Sequence, residues 1–226
     1  MSAAGRGVRV GILGGTLDPI HVGHLETARA AQRALNLTSV VVMPSRIPPH
    51  RVQGPAASVF HRFAMAALAV RSLESGTVCD DELQAEGPSF TALTLERMAR
   101  RGLDAAQMFF ITGADAFAEI ETWYHYPQVL DLAHFVVIAR PGTSAATAAA
   151  QLPGIPERIR DVAEHVASPS VFLVEASTPD VSSTDIRRRL RAGERISGLV
   201  PPDVEAHILR HRLYMDPLRG IASNED

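Results

Sequence analysis

The chain has 226 residues, 46% of them hydrophobic and 21% charged, which suits one large folded domain and excludes a disordered or collagen-like polymer. A formal charge of −3 gives no global pull towards nucleic acid or an anionic membrane, and the single cysteine, Cys79, cannot close an internal disulfide. No apolar run approaches the roughly 20 residues of a membrane helix and the N-terminus lacks the apolar core of a secretory signal, so the expected location is the cytoplasm.

Residues 8–13 (VRVGIL) read as a short buried strand that runs into Gly14-Gly15, and 22–35 as a helix. Residues 39–44 (SVVVMP) are a second strand with a Pro-rich exit over 44–55. A helix is expected over 58–74, with Phe60, Phe63, Met65, Leu68 and Leu73 near one broad face. A weaker strand over 77–84 and a helix over 90–101 follow. Strands are expected at 107–113 and 134–140, with helical segments between them. The stretch 142–156 is rich in Gly, Ala, Thr and Pro and reads as a flexible surface connection. Residues 171–176 are a last strand, 182–193 a helix, and 202–213 a closing helix entered through Pro201-Pro202. The tail after Tyr214 carries no pattern.

Apolar strands alternating with helices predict an α/β fold of the Rossmann-like, doubly wound kind, a parallel sheet with helices on both faces. The expected organisation is a single domain, 1–226, with a small helical part at 180–214. In such sheets ligands sit beyond the carboxyl ends of the strands. The loops 14–24, 44–51 and 113–124 all lie at such ends.

The loop GILGGTLDPIHVGHL (11–25) is the densest candidate. Gly14-Gly15 lets backbone approach a ligand, and the following helix start presents unpaired N–H groups and a positive dipole end, which suits phosphate. The glycine spacing is not that of a dinucleotide fingerprint, and no Gly-Lys-Ser/Thr follows to make a Walker loop. His21 and His24 lie three apart on one helix face. Each feature alone has a plain structural reading: a turn for the glycines, capping or surface positions for the histidines. No Cys or carboxylate stands at a zinc-like spacing from them. Every one of the 22 basic side chains is arginine, so a side-chain cation that holds phosphate here is a planar fork. Nucleotide bias in the genome would produce the same composition.

The string GGTLDPIHVGHL resembles the GGTFDPIHxGH signature of nucleotidyltransferases with an HxGH motif, and in particular the bacterial nicotinate-nucleotide adenylyltransferases. Further segments are similar in the family's order: PSRIPPHR (44–51), SFTALTL (89–95), TGADAFAEIETWY (112–124), VIARPG (137–142) and VSSTDIR (181–187), the last matching an ISSTxIR signature. The resemblance covers residues 8 to 214. It implies an enzyme of NAD biosynthesis that moves AMP from ATP, taken as its Mg²⁺ complex, onto nicotinate mononucleotide, with deamido-NAD and pyrophosphate as products. It also implies His21, His24 and Arg187 as catalytic residues. Gly14, Gly15, Thr16, His50, Arg51, Ser183 and Thr184 would contact ATP or its phosphates. Thr91, Asp115, Trp123 and Tyr124 would bind nicotinate mononucleotide, with Trp123 stacked on the pyridine ring and Asp115 on a ribose hydroxyl.

Several of these have a second reading. Asp115 also suits an N-cap for a helix from 116, and Ser182-Ser183-Thr184 an N-cap for the helix that follows. Phe110 fits the core better than the ring site. Arg188, Arg189 and Arg191 read as a solvated face. Arg51 departs from the family, where lysine is usual, and its fork addresses different phosphate oxygens. Asp18 is better read as a turn or cap residue than as a metal ligand, which leaves the protein ligand of Mg²⁺ unknown. Phosphopantetheine adenylyltransferases and cytidylyltransferases are the nearest rivals, and the Trp123-Tyr124 element speaks against both. The expected partners are therefore ATP and nicotinate mononucleotide, with no nucleic acid and no membrane. The oligomeric state, a homo-oligomer included, stays open.

Overall fold

Short runs of β-branched and aromatic residues build the centre of the molecule. The structure, a computed structural model, describes residues 7–49, 54–139, 151–161 and 166–216. Seven strands are described: β1 (Val10–Gly15), β2 (Ser39–Pro44), β3 (Gly76–Val78), β4 (Met108–Gly113), β5 (His134–Ala139), β6 (Ile159–Arg160) and β7 (Val171–Glu175). They form one sheet in the order β3-β2-β1-β4-β5-β7-β6, and every pairing is parallel. The helices are α1 (Val22–Leu35), α2 (Val59–Val70), α3 (Asp81–Gln84), α4 (Thr91–Arg100), α5 (Ala114–Phe117), α6 (Ser183–Ala192) and α7 (Pro202–Arg210).

The two-residue period of the strands divides the core. Phe109, Ile111, Val136, Ile138, Phe172 and Val174 face one layer, where they meet Leu25 and Ala28 of α1, Met65 of α2, Ile186 of α6 and Ile208 of α7. Met108, Phe110, Phe135, Val137 and Val171 face the other, against Leu95 of α4, Phe117 of α5, and Ile120 and Val129 in short 3₁₀ turns. Both faces are therefore covered, as a parallel sheet requires. The chain runs outward from β1 to β2 and β3, then crosses back to place β4 on the other side of β1. The strand order thus reverses between β1 and β4, and that switch point is where open α/β sheets hold ligands.

Helix α1 keeps the expected bounds, because Asn36 stops it in the left-handed region at φ 49° and donates its N–H to Gln32 O. Other elements differ from expectation. The strand expected over 77–84 ends at Val78, because β3 is an edge strand that pairs, among the described residues, with β2 alone, and the acidic run after it opens α3. Helix α2 stops at Val70, and Phe60 is 79% exposed, not on its buried face. The described part of the 142–156 connection is largely at the surface, with Gln151, Pro153, Gly154 and Pro156 exposed, and is anchored by fully buried Ile155 and by the Tyr126 hydroxyl donating to Pro153 O. Residues 140–150 and 217–226 lie outside the described residues.

Candidate active site

The site is assembled at the switch point. A cleft of about 630 Å³ opens at the ends of β1 and β4, lined by Gly14, Gly15 and Thr16, by His21 and His24, and by Thr91, Asp115, Trp123 and Tyr124. Its volume lies in the range of about 300–1,000 Å³ usual for small-molecule sites. Ser45, Pro48 and Pro49 from the exit of β2 complete one wall. His50 and Arg51, the next two residues, lie outside the described residues.

Helix α1 begins at Val22 with His21 as its N-cap residue in extended backbone, and its first turn carries no acidic side chain. No carboxylate therefore neutralises the positive end of the helix dipole, although Val22 N–H donates to Leu199 O and His24 N–H to His21 O. The backbone N–H of His21 donates to Nδ1 of His24 at 3.2 Å. That bond makes Nδ1 the acceptor and leaves the proton of the neutral imidazole on Nε2. Burial, and secondarily the charge of neighbouring His21, hold the His24 pKa well below the usual imidazole value. His24 is therefore a neutral donor at pH 7. The two rings lie 3.7 Å apart. Gly23 between them is glycine for a steric reason: a Cβ there would meet Cε1 and Nδ1 of His21 at 3.0 Å.

The other end of the cleft is aromatic. Trp123 is half-buried and meets Phe110 edge to face at 5.9 Å. Phe110 is both core and wall, since it is buried and also lines the cleft. Tyr124 is stacked on Phe90 at 4.5 Å and on His125 at 3.9 Å. Trp123, Tyr124, Phe90 and Phe110 together form the aromatic lining. Asp115 is exposed in the first turn of α5, whose N-cap is Gly113, so the capping role expected of Asp115 is not observed.

Ser183, Thr184 and Arg187 do not line this cleft. They stand behind the β1–α1 loop and hold its carbonyls. The Ser183 hydroxyl donates to Pro19 O at 2.9 Å, and Arg187 Nη1 donates to Asp18 O at 2.6 Å and Nη2 to Thr184 Oγ1 at 3.3 Å. Ser182 is the N-cap of α6, accepting from Asp185 N. Arg188 and Arg189 pair with Asp185 on the outer face, and Arg188 also with Glu194. From the other side, buried Arg62 donates to Thr16 O at 2.7 Å. Asp18 is neither a turn cap nor placed to take a metal: it is buried, and its carboxylate accepts the N–H groups of Ala56 and Ala57 and the hydroxyl of Tyr214.

Sequence reasoning missed part of the lining. Thr178, Pro179 and Val181 follow the carboxyl end of β7 and border the cleft, which the strand-end rule alone would have flagged. Glu82 also lines it, but the strand expected there hid the residue. Its carboxyl accepts from Thr94 Oγ1 at 2.6 Å. Burial raises its pKa, and the bonds from Thr94 and Ser89 with the Arg97 charge offset only part of that.

The chain matches the model of the cytidylyltransferase-like family over residues 12–189. It is 36% identical over 222 residues to a protein of Desulfatibacillum aliphaticivorans named "Probable nicotinate-nucleotide adenylyltransferase", with 92% of this chain and 100% of that one covered. A protein of the same name from Moorella thermoacetica is 37% identical over 221 residues, covering 98% of both. The solved structure of a Plasmodium falciparum nicotinic acid mononucleotide adenylyltransferase complexed with NaAD superposes with a TM-score of 0.64 at 16% identity, over 92% of this chain and 98% of that one. That likeness concerns the fold. Among the described residues no helix is long and apolar enough to cross a membrane. By its family match and its full-length relatives, the chain belongs to the cytidylyltransferase-like family and, within it, to the nicotinate-nucleotide adenylyltransferases.

Proposed function

We propose that this protein transfers AMP from ATP to the phosphate of nicotinate mononucleotide, giving deamido-NAD and pyrophosphate. The observation that carries the reading is one cleft lined by a neutral histidine donor at a helix start without acidic side chains and by a half-buried tryptophan. Two adenylyltransferase relatives at 36% and 37% identity support it over nearly the whole chain.

In the reaction, a phosphate oxygen of the mononucleotide attacks the α-phosphorus of ATP. The new P–O–P bond forms as the bond to the β-phosphate oxygen breaks, and pyrophosphate leaves with that electron pair. The nucleophile is already anionic near neutral pH, so no strong general base is needed. The work is alignment of two polyanions and neutralisation of charge on the transferred phosphorus. ATP enters as its magnesium complex, the metal held chiefly by the phosphates.

His24 donates from Nε2 to an α-phosphate oxygen, and His21 with the N–H groups of Gly15 and Thr16 receives the outer phosphates. His50 and Arg51 extend that contact from the stiff Pro48-Pro49 segment. Trp123 stacks on the pyridine ring, backbone amides at Thr91 and Tyr124 hold its carboxylate, and Asp115 accepts from a ribose hydroxyl. Ser183, Thr184 and Arg187 keep the phosphate loop in place, and the arginine adds positive potential behind it.

The test is pyrophosphate release with ATP and magnesium, comparing nicotinate mononucleotide, nicotinamide mononucleotide and phosphopantetheine at equal concentration. Fast turnover with the nicotinate substrate alone is the expected result. Preference for the amide would overturn the pyridine-carboxylate assignment, and preference for phosphopantetheine would overturn the second substrate altogether.

A further inference from the structure

The loop that carries the histidines is under tension and is held from outside. Leu17 sits at φ 51°, a left-handed backbone that a bulky side chain adopts only where its surroundings impose it. Carbonyl tethers from Arg62, Ser183 and Arg187 restrain Thr16, Pro19 and Asp18. One side chain of the loop itself reaches back, that of Asp18, which is 1% exposed. Its Oδ2 accepts Ala56 N–H at 2.7 Å and its Oδ1 accepts Ala57 N–H at 3.1 Å. The third bond comes from 196 residues away, where the Tyr214 hydroxyl donates to Oδ1 at 2.8 Å.

We propose that Tyr214 is a positioning residue for the reaction, clasping the catalytic loop through Asp18 so that His21 and His24 keep their geometry. The chain after α7 carries no other recognisable motif, yet it returns to the β1–α1 loop at this hydroxyl. Tyr214 is half-buried and packs against the layer that contains α1, α2 and α7. Its ring thus has a structural role of its own, which the hydroxyl does not share. Burial and the adjacent Asp18 carboxylate push its pKa far up, so the group stays a donor at any working pH. The neighbouring contact of Val22 N–H with Leu199 O ties the same C-terminal region to the first residue of α1. The start of the helix and the loop before it are therefore both fixed from the C-terminal end of the chain.

The catalytic part of this inference rests on the adenylyl-transfer reading, and its structural part does not. The variant is Tyr214→Phe, which keeps the ring and removes one hydrogen bond. Two readouts on the full chain are needed. Pyrophosphate release should show kcat reduced by about tenfold, the size of effect a charge-assisted hydrogen bond supports, with the KM for nicotinate mononucleotide unchanged within twofold. Amide hydrogen exchange should show protection lost over residues 16–24 and kept in β4 and β5. In an Asp18→Ala background, adding Tyr214→Phe should change kcat by less than twofold, because the acceptor is already gone. Unchanged exchange in the loop, or a uniform rise across the chain, overturns the proposal. So does a kcat within twofold of the parent while exchange in the loop rises. Failure of the parent protein to turn over either mononucleotide would sink the functional reading instead, and the exchange pattern would still decide the clasp.

Discussion

Replacing His24 by alanine separates the chemistry of the loop from its architecture. The side chain makes one structural bond, accepting the His21 N–H at 3.2 Å through Nδ1, and has one donor left on Nε2. Loss of the structural bond resembles loss of a helix N-cap, about 1 kcal/mol, which in a chain of this size lowers Tm by about 2–4 °C. Loss of a donor that tightens on a transferring phosphoryl group costs about 3–4 kcal/mol, or 10²–10³ in kcat. The two effects differ enough to be read apart. Pyrophosphate release should therefore fall by that factor at a temperature well below the unfolding transition, with the KM for the mononucleotide little changed. A kcat within threefold of the parent would refute the reasoning, because no other role for Nε2 is left.

The protonation state of His24 gives the same argument a second handle. Its pKa in the fold is depressed, so below the usual imidazole value the unfolded chain takes up a proton before the folded one does. The stabilisation is present above about pH 6.5 and is lost as pH falls from there through the depressed folded value. Activity should be flat from neutral pH upwards on account of this group. His24→Gln should remove part of the acid lability while restoring little of the rate.

Trp123→Ala should raise the KM for nicotinate mononucleotide by tenfold or more with a smaller effect on kcat, since ring stacking contributes about 1–3 kcal/mol. Trp123→Phe should recover most of that loss, and steady-state kinetics with the second substrate varied would show both. Glu82→Gln addresses the buried carboxyl. Its raised pKa means the folded chain holds the proton that the unfolded chain releases, so stability is present below about pH 4.5 and lost as pH rises through the folded value. The glutamine variant should flatten the dependence of Tm on pH over that window, and a Tm at pH 8 well below the parent's would contradict the assignment.

Much of the fold was legible because the local signals are strong. The runs at 39–44 and 108–113 are apolar on both faces, which only a covered sheet accommodates, and the αL residue Asn36 marks the end of α1. The elements that were misread are weak for identifiable reasons. Strand β3 has three residues on a sheet edge and β6 has two, too few for alternation to show. The 142–156 connection reads as a surface linker from its Gly/Pro-rich composition, and its described part is mostly exposed; the anchor, fully buried Ile155, is a single residue that composition does not reveal. In the site, the loop 14–24 announced itself through its glycines and histidines. The tethers that hold it span 164, 169 and 196 residues of sequence, and no periodicity carries that information.

Those long-range tethers change how the SSTDIR segment is understood. A serine and an arginine one helical turn apart invite the reading of a phosphate grip, and both also donate to carbonyls of the β1–α1 loop. A loop whose N–H groups must point at phosphate necessarily turns its C=O groups away from it, and those carbonyls, if buried, need donors. Arg62 from α2 and Ser183 and Arg187 from α6 supply them from two sides without competing for the N–H side. Arginine suits this task because its fork reaches a carbonyl while carrying a charge that adds to the potential felt by the phosphate beyond it. The motif at 181–187 is thus tied to the motif at 14–24 by the backbone's own hydrogen-bond accounting. On the proposed reading, substituting Ser183 or Arg187 should weaken phosphate binding by releasing the β1–α1 loop.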